Sequence, residues 1–329
     1  MPKAASGLRR IRMRAFLKII LRFLHNFISK SALATRVYFK ALNLLLKRLP
    51  DCELKFRFLA FHAWVKWPQI AFAPQRIRPA GSSLSIKIIP YLLEPDAAAL
   101  IFKTWTYEKG AFVYLEEHIE DYDAVIEIGA NVGLFTVSFA KWFTRCGKSG
   151  NNIFAFEASR QAYSRLLRNL EANAIKDIQI FNLAVGDKNG FVNFYEPAGH
   201  LTNGSLYRDF VETFSQALSV NKTLMLSGDF VAGLAGESRR VLLKINAEGS
   251  EYAILQSMRD FIIQRKPTII LEVLERYQDE LNRLDFLFSG RYSFFNLTDH
   301  GLESRDRFVA GYHYSYLLLP YSRADVKKN

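Results

Sequence analysis

VIEIGANVGLFTVSFAKWF, Val125–Phe143, passes from an apolar run through two glycines four residues apart into a helical pattern. A strand-length apolar run, a glycine turn and an amphipathic helix together open a βαβ unit. Further along the chain, the alternation continues. Ala124 to Ile128 reads as a strand, Val132 to Phe143 as a helix, Ile153 to Phe156 as a strand and Ser159 to Asn173 as a helix. Ile178 to Val185 and Val241 to Ile245 read as strands, Ser250 to Ile263 as a helix and Thr268 to Val273 as a strand. Ser159 and Ser250 stand at N-cap positions, each followed by apolar residues at helical spacing. Strands that alternate with helices pair in parallel, with helices on both faces. Tyr292 to Leu297 and Phe308 to Leu319, the latter alternating Tyr312, Tyr314 and Tyr316, read as an antiparallel edge hairpin.

Doubly wound sheets bind ligands at the carboxyl ends of their strands, where strand order reverses. Gly129 and Gly133 fall there. Glycine lets backbone approach a ligand closely, and a helix start offers unpaired N–H groups. The next strand ends in Phe156-Glu157, and an acid at that tip can accept both hydroxyls of a ribose. A nucleoside-containing cofactor follows. The dinucleotide fingerprint G-x-G-x-x-G places a pyrophosphate against the helix start, but the run Gly129-Ala130-Asn131-Val132-Gly133 lacks the third glycine and follows Glu127. A carboxylate there repels a pyrophosphate and suits the amino group of S-adenosylmethionine. A nicotinamide oxidoreductase is thereby disfavoured.

Five blocks in order resemble the FkbM family of S-adenosylmethionine-dependent methyltransferases: Glu127–Gly133, Phe154-Ala-Phe-Glu-Ala158, Leu183-Ala-Val-Gly-Asp187, Lys244-Ile-Asn-Ala-Glu-Gly-Ser-Glu251 and Ile270-Leu-Glu272. The resemblance spans roughly Gly110 to Leu319. It implies a Rossmann-like seven-stranded class I methyltransferase sheet in an α/β fold. It also implies that Glu127, Gly129, Ala130, Asn131 and Gly133 cradle the methionine end, that Glu157 and Ala158 hold the ribose, and that the loop of Ala184 borders the adenine. Family members methylate hydroxyl oxygens, often on sugars or polyketide-type products. Two positions depart from the family: it usually carries Asp where Glu127 and Asn246 stand. The first change keeps the charge and the second removes it.

Methyl transfer from a sulfonium needs the acceptor oxygen placed behind the methyl and a group to take its proton. Among Lys244, Asn246, Glu248 and Glu272, Glu248 is the first candidate for proton removal and Glu272 the second, with helix capping as the structural alternative. An amide takes no proton, so Asn246 is read as a positioning residue. His200 and the turn Asn203–Ser205 lie where family members cover the cofactor; His118, His300 and His313 stay unassigned, and no cluster has metal-ligand spacing.

The chain has 329 residues and a net charge of +12. Its first fifty residues hold twelve Lys and Arg and no Asp or Glu, leaving 32 basic against 32 acidic residues beyond. Arg14, Lys18, Arg22, His25 and Ser29 lie opposite Leu17, Ile20, Leu21, Leu24 and Ile28, and after a break near Ser29 to Ser31 a stripe of Arg36, Lys40, Asn43 and Lys47 runs beside Val37, Leu42 and Leu44 to Leu46. These amphipathic helices are too interrupted by charge to span a bilayer. Residues 1–50 fit an anionic membrane surface; packing on the protein's own core, an RNA-binding arm and an organellar transit peptide are the alternatives, and DNA is not expected. Phe56 to Pro74 is an aromatic stretch suited to a belt or to packing. Cys52 and Cys146 offer no disulfide framework, which points to a reducing, cytoplasmic setting, peripheral to the membrane if the arm binds it.

The organisation expected is residues 1–75 as a basic, aromatic helical region, 76–122 as a lead-in, 123–322 as the methyltransferase domain and 323–329 as a tail. The expected activity is O-methylation of a glycan, glycolipid or related acceptor. An RNA methyltransferase is a competing reading, weakened because Ile245-Asn-Ala-Glu-Gly249 is not the Asn-Pro-Pro-aromatic motif of base-amino methylation. A non-catalytic cofactor-binding protein, favoured by Asn246, is another.

Overall fold

The computed structural model describes residues 24, 26–46, 70–91, 104–105, 107–198, 201, 203–311 and 314–321. Most of the first predicted amphipathic helix, the stretch 56–69, His25, His200, Tyr312, His313 and the tail 323–329 lie outside the described residues. The chain divides into two units, Met1–Gln75 with Ile89–Lys103, and Arg76–Ile88 with Thr104–Asn329.

In the first unit, helix α1 (Ala32–Leu46) starts at Ser31, whose hydroxyl accepts the N–H of Ala34 at 3.3 Å. Thr35 and Phe39 are buried, the Phe39 ring meeting Phe72 edge-on at 6.2 Å. Leu33, Val37 and Leu44 are exposed, as are Arg36 and Lys40.

The second unit opens with β1 (Gln75–Pro79), β2 (Ile86–Ile88) and β3 (Thr104–Trp105), a small sheet in the order β2-β1-β3. Helix α2 (Lys109–His118) and a 3-10 turn (Ile119–Asp121) lead into β4 (Ala124–Ile128). There follow α3 (Leu134–Arg145), β5 (Ile153–Phe156), α4 (Arg160–Ala172), β6 (Gln179–Phe181), β7 (Ala184–Gly186), β8 (Gly190–Pro197), α5 (Arg208–Val211) and β9 (Leu218–Ser227). The chain then runs through α6 (Gly228–Gly233), β10 (Val241–Ile245), α7 (Glu251–Ser257), α8 (Arg259–Arg265), β11 (Thr268–Glu272), α9 (Gln278–Asn282), α10 (Asp285–Phe288), β12 (Tyr292–Thr298), β13 (Gly301–Arg305) and β14 (Ser315–Pro320).

The large sheet has the order β13-β12-β14-β11-β10-β4-β5-β6. Strands β6, β5, β4, β10 and β11 are parallel, while β14, β12 and β13 join antiparallel. From β4 the chain winds outward through β5 and β6, returns, and winds the other way through β10 and β11, so strand order reverses between β4 and β10. Every residue of β4 and β10 is buried, as a sheet covered on both faces requires. Ile126, Leu243, Ile269 and Leu318 share one register row and pack against Ile254 and Leu255 of α7, Ile262 of α8 and Met258 between them. The opposite face meets α3, where Phe112 stacks on Phe135 at 4.5 Å.

Several elements differ from expectation for identifiable reasons. Ile178 to Val185 is two strands in two sheets: the Asn182 amide donates to the carbonyls of Glu157 at 2.8 Å and Ala158 at 3.3 Å, turning the chain after β6. β7 then joins β9 and β8 in a separate sheet of order β7-β9-β8. Ser250 to Ile263 breaks at Met258, beside Ser257, whose hydroxyl binds the N–H of Gly228 and the carbonyl of Gly186. Ser250 makes no cap bond; Glu251 takes that task, accepting the N–H groups of Ala247 at 2.8 Å and Gly249 at 2.9 Å. Phe308 precedes strand structure, and the polar, mostly exposed β13 adds an eighth strand to the expected seven. Cys146 is a free thiol.

Candidate active site

Pairing in the parallel sheet puts opposed residues on the same face. Glu127 lies beside Lys244 and Lys244 beside Ile270, and two residues on, Glu272 lies beside Ser315. Glu127, Lys244, Glu272 and Ser315 therefore form a polar row at the carboxyl ends of the strands, on the face toward α3. Asn246 continues that row beyond β10. Lys244 is buried with its ammonium over the Phe135 ring at 4.2 Å, and Thr136 of α3 donates to Glu127 at 2.7 Å.

The glycine turn is shaped by the protein itself. Gly129 has φ +82°, and a Cβ there would lie 1.7 Å from the Asn246 carbonyl oxygen; at Gly133, with φ +88°, it would lie 2.2 Å from Leu166. The amides of Gly129 and Ala130 both donate to the Phe156 carbonyl at 2.9 Å, and that of Gly133 donates to Ala130. The amide of Asn131, at φ 50°, donates to Glu157 at 2.6 Å. The expected free N–H groups are thus engaged at these four positions. A turn lined by carboxylates and with these amides spent is a poor seat for a pyrophosphate and a suitable one for a ligand end that is cationic or rich in donors.

Glu157, at the tip of β5, is buried and accepts from Asn131 and, at 2.7 Å, from the Ser159 amide. A carboxylate has about four acceptor sites, so each oxygen keeps capacity for a ribose hydroxyl. Burial pushes Glu157 up to about 7, against the pull of those two amides and with a further push from Glu196. Glu196 is itself held by Ser159 at 2.5 Å and Asn221 at 2.7 Å. Burial likewise raises Glu127 to about 7, opposed by Lys244 and the Thr136 hydroxyl. Ala158 is half-buried beside Glu157, and Ala184 lies in β7, paired with Met225.

Glu248 follows β10 at φ 48°, its carbonyl fixed by the Ser205 hydroxyl at 2.8 Å. Burial and the charges of Glu251 and Glu157 raise its pKa to about 8. Burial raises Glu272 well above the carboxylate range, and Glu248, Glu108 and Glu251 add to this while Lys244 opposes it. Its Oε2 is enclosed with no hydrogen-bond partner, as is Oε1 of Glu108. Asn246 donates to the Tyr107 hydroxyl at 3.4 Å. Asn203 has the positive φ expected of the Asn-Gly turn, and Ser205 bridges to Tyr195 in β8. His118 contacts Asp121 at 3.5 Å and Tyr114. Among the described residues no group of three His, Cys, Asp or Glu could hold a metal.

Glu108, Tyr107, Tyr314, Glu251 and Ser205 are participants that sequence reasoning missed or left without this role. Glu251 carried a signal, an acid four residues after Ala247. Glu108 and Tyr107 carried none, because only the fold brings the start of α2 beside β11 and β14.

A doubly wound sheet with a glycine turn and a strand-tip acid at its switch point defines a Rossmann-like methyltransferase domain. The profile of the methyltransferase FkbM domain matches residues 127–301, just over half of the chain. The chain belongs to this family, whose methyl donor is S-adenosylmethionine.

Among solved structures, the chain is similar to the methyltransferase FkbM from Methylobacillus flagellatus KT, at 16% identity and a TM-score of 0.38 over 61% of this chain and 44% of that one. It therefore spans less than half the length of that protein. It is also similar to M. jannaschii TYW2 in complex with AdoMet, with 13% identity, TM-score 0.37, and 78% and 88% of the two chains covered. A third is a ribosomal protein L11 methylase from Lactobacillus delbrueckii subsp. bulgaricus, with 11% identity, TM-score 0.35, and 64% and 75% covered. Comparison with curated proteins finds no match.

Proposed function

We propose that the domain, taken as residues 123–322, methylates a hydroxyl oxygen of a glycan, glycolipid or related acceptor. The observation that carries this reading is the pair Glu248 and Glu272, two interacting carboxyls with raised pKa at the ends of the adjacent strands β10 and β11. A base poised near the working pH is what removal of a hydroxyl proton needs. Glu127, the turn 129–133, Glu157, Ala158 and Ala184 hold S-adenosylmethionine, which supplies a methyl group on a positively charged sulfur. Glu248 takes the proton from the acceptor hydroxyl, and Glu272 and Lys244 set the charge around it. Asn246 orients the acceptor side of the pocket through Tyr107.

The first unit presents the protein to an anionic membrane surface. In support, Leu33, Val37 and Leu44 are exposed on the same helix as Arg36 and Lys40, the arrangement of an interfacial helix. No helix among the described residues is long and apolar enough to cross a membrane.

The test is transfer of tritiated methyl from S-adenosylmethionine into glycan, glycolipid and RNA fractions of a cell extract. Alkali-stable label in the glycan or glycolipid fraction, reduced about 100-fold or more by Glu248→Gln with S-adenosylhomocysteine binding intact, is expected. Label confined to RNA, or unaffected by Glu248→Gln, rules the reading out.

A further inference from the structure

We infer that the acceptor subsite is completed by residues on either side of the family-matched segment, Tyr107 and Glu108 before it and Tyr314 after it, and that they receive a saccharide ring. This rests on the O-methyl-transfer reading and names the residues that select its acceptor.

The matched segment runs from 127 to 301, yet the polar row it contains is finished by residues outside it. Ser315 pairs with Glu272 across β11 and β14 and reaches Glu108 Oε2 at 3.3 Å. Glu108 holds φ 47° at the start of α2, a conformation that L residues adopt only when their surroundings impose it. The Tyr107 hydroxyl receives the Asn246 amide and interacts with Glu108, Glu272 and Tyr314. Tyr314 in turn faces Glu108, Glu272, Tyr107 and Glu248. Two tyrosines from distant parts of the chain thus meet beside the proposed proton acceptor.

Two features select the ligand. Glu108 Oε1 and Glu272 Oε2 are enclosed polar atoms without hydrogen-bond partners, an arrangement that is costly unless a bound molecule brings groups that donate and accept, as hydroxyls do. Tyr107 is 38% exposed, while its hydroxyl receives Asn246 and neighbours Glu108, Glu272 and Tyr314, so the residue meets solvent beside the acids. An exposed tyrosine beside unpaired carboxyl oxygens suits a ring with C–H groups on its face and hydroxyls at its rim. An alkyl acceptor leaves both oxygens unpaired, and a flat base brings few hydroxyls. An ammonium-bearing acceptor also suits an aromatic face, and the labelling experiment separates it from a saccharide by the fraction that takes up label.

The experiment uses the full chain, tritiated S-adenosylmethionine and the glycan fraction of a cell extract, with Tyr107→Trp, Tyr107→Leu, Tyr314→Ala and Glu108→Gln. Tyr107→Leu and Tyr314→Ala should each raise the extract concentration for half-maximal labelling about tenfold, with maximal rate nearly kept and S-adenosylhomocysteine affinity unchanged. Tyr107→Trp, which keeps a flat face, should recover most of the loss, whereas a packing role would favour the leucine. Glu108→Gln should raise half-saturation as well. If the wild type labels glycans and none of these variants shifts half-saturation, the subsite assignment is overturned and O-methylation stands. If label enters amines or RNA and no glycan, both are overturned.

Discussion

Gly129 and Glu157 carry different burdens at the same turn. A side chain at 129 would collide with the Asn246 carbonyl, so Gly129→Val is expected to cost about 3 kcal/mol or more, read as a fall in denaturant midpoint. That variant reports on folding and not on binding. Glu157→Gln keeps the shape, and its loss falls on the ligand. Asn246 poses the other residue-scale question. Asn246→Asp places one more carboxyl close to Glu248 and Glu272, and turnover into glycans should stay within about threefold or fall, because charges in such a cluster resist further ionisation. A gain of orders of magnitude would mean the natural protein is a weakened enzyme. The positions of Glu127, Glu157 and Glu248 at a strand tip or beside a glycine turn were legible in the sequence. Glu108 was not, since its role depends on Ser315 and Glu272, far away in the chain.

Among the elements, α2 is clamped to α3 through Glu116. Its carboxyl receives Ser82 at 2.6 Å, Trp142 at 2.7 Å and Arg145 at 2.7 Å, together with Ser83. Burial raises its pKa, but these donors outweigh that and hold it at about 2. Glu116→Ala should therefore destabilise the protein by about 2 kcal/mol, measured by urea unfolding. On α1 the expectation concerns binding: replacing the exposed Leu33, Val37 and Leu44 with Glu in the full chain should abolish flotation with anionic vesicles. Flotation that survives would leave the helix as a solvated face. The parallel core of β4, β5, β10 and β11 was readable from apolar runs. The β8–β9 hairpin was not, because its outer face, with Phe191, Val220 and Leu224 exposed beside Asn193 and Lys222, gives no clean alternation. Ile178 to Val185 misled for the opposite reason: the apolar run is continuous, and only the Asn182 side-chain bonds reveal the turn.

At the scale of the molecule, the raised carboxyls set the response to pH. Glu127, Glu157 and Glu248 have folded-state values of about 7, about 7 and about 8, each above the ordinary 4.5. The folded chain keeps protons that the unfolded chain releases, so stability falls as pH rises from about 4.5 to 8. Glu116 runs the other way: its contribution is present above 4.5 and is lost as pH falls toward about 2. The ligand-free protein should melt highest near pH ~5, and a thermal scan that climbs steadily from pH 5 to 8 would contradict this. If Glu127 and Glu157 hold the donor as proposed, ligand binding should oppose this slope, because a cationic methyl donor favours their ionised forms and should bind more tightly at pH 8 than at pH 6. The most direct measurement is calorimetric titration of S-adenosylmethionine into the full chain and its Glu157→Gln variant at pH 8, with folding checked by circular dichroism. Micromolar binding by the wild type, weakened at least about tenfold in the folded variant, is the result expected of a ribose-holding carboxylate. Equal affinity in both proteins, or no binding by a folded wild type, would contradict the placement of the cofactor at the ends of β4 and β5.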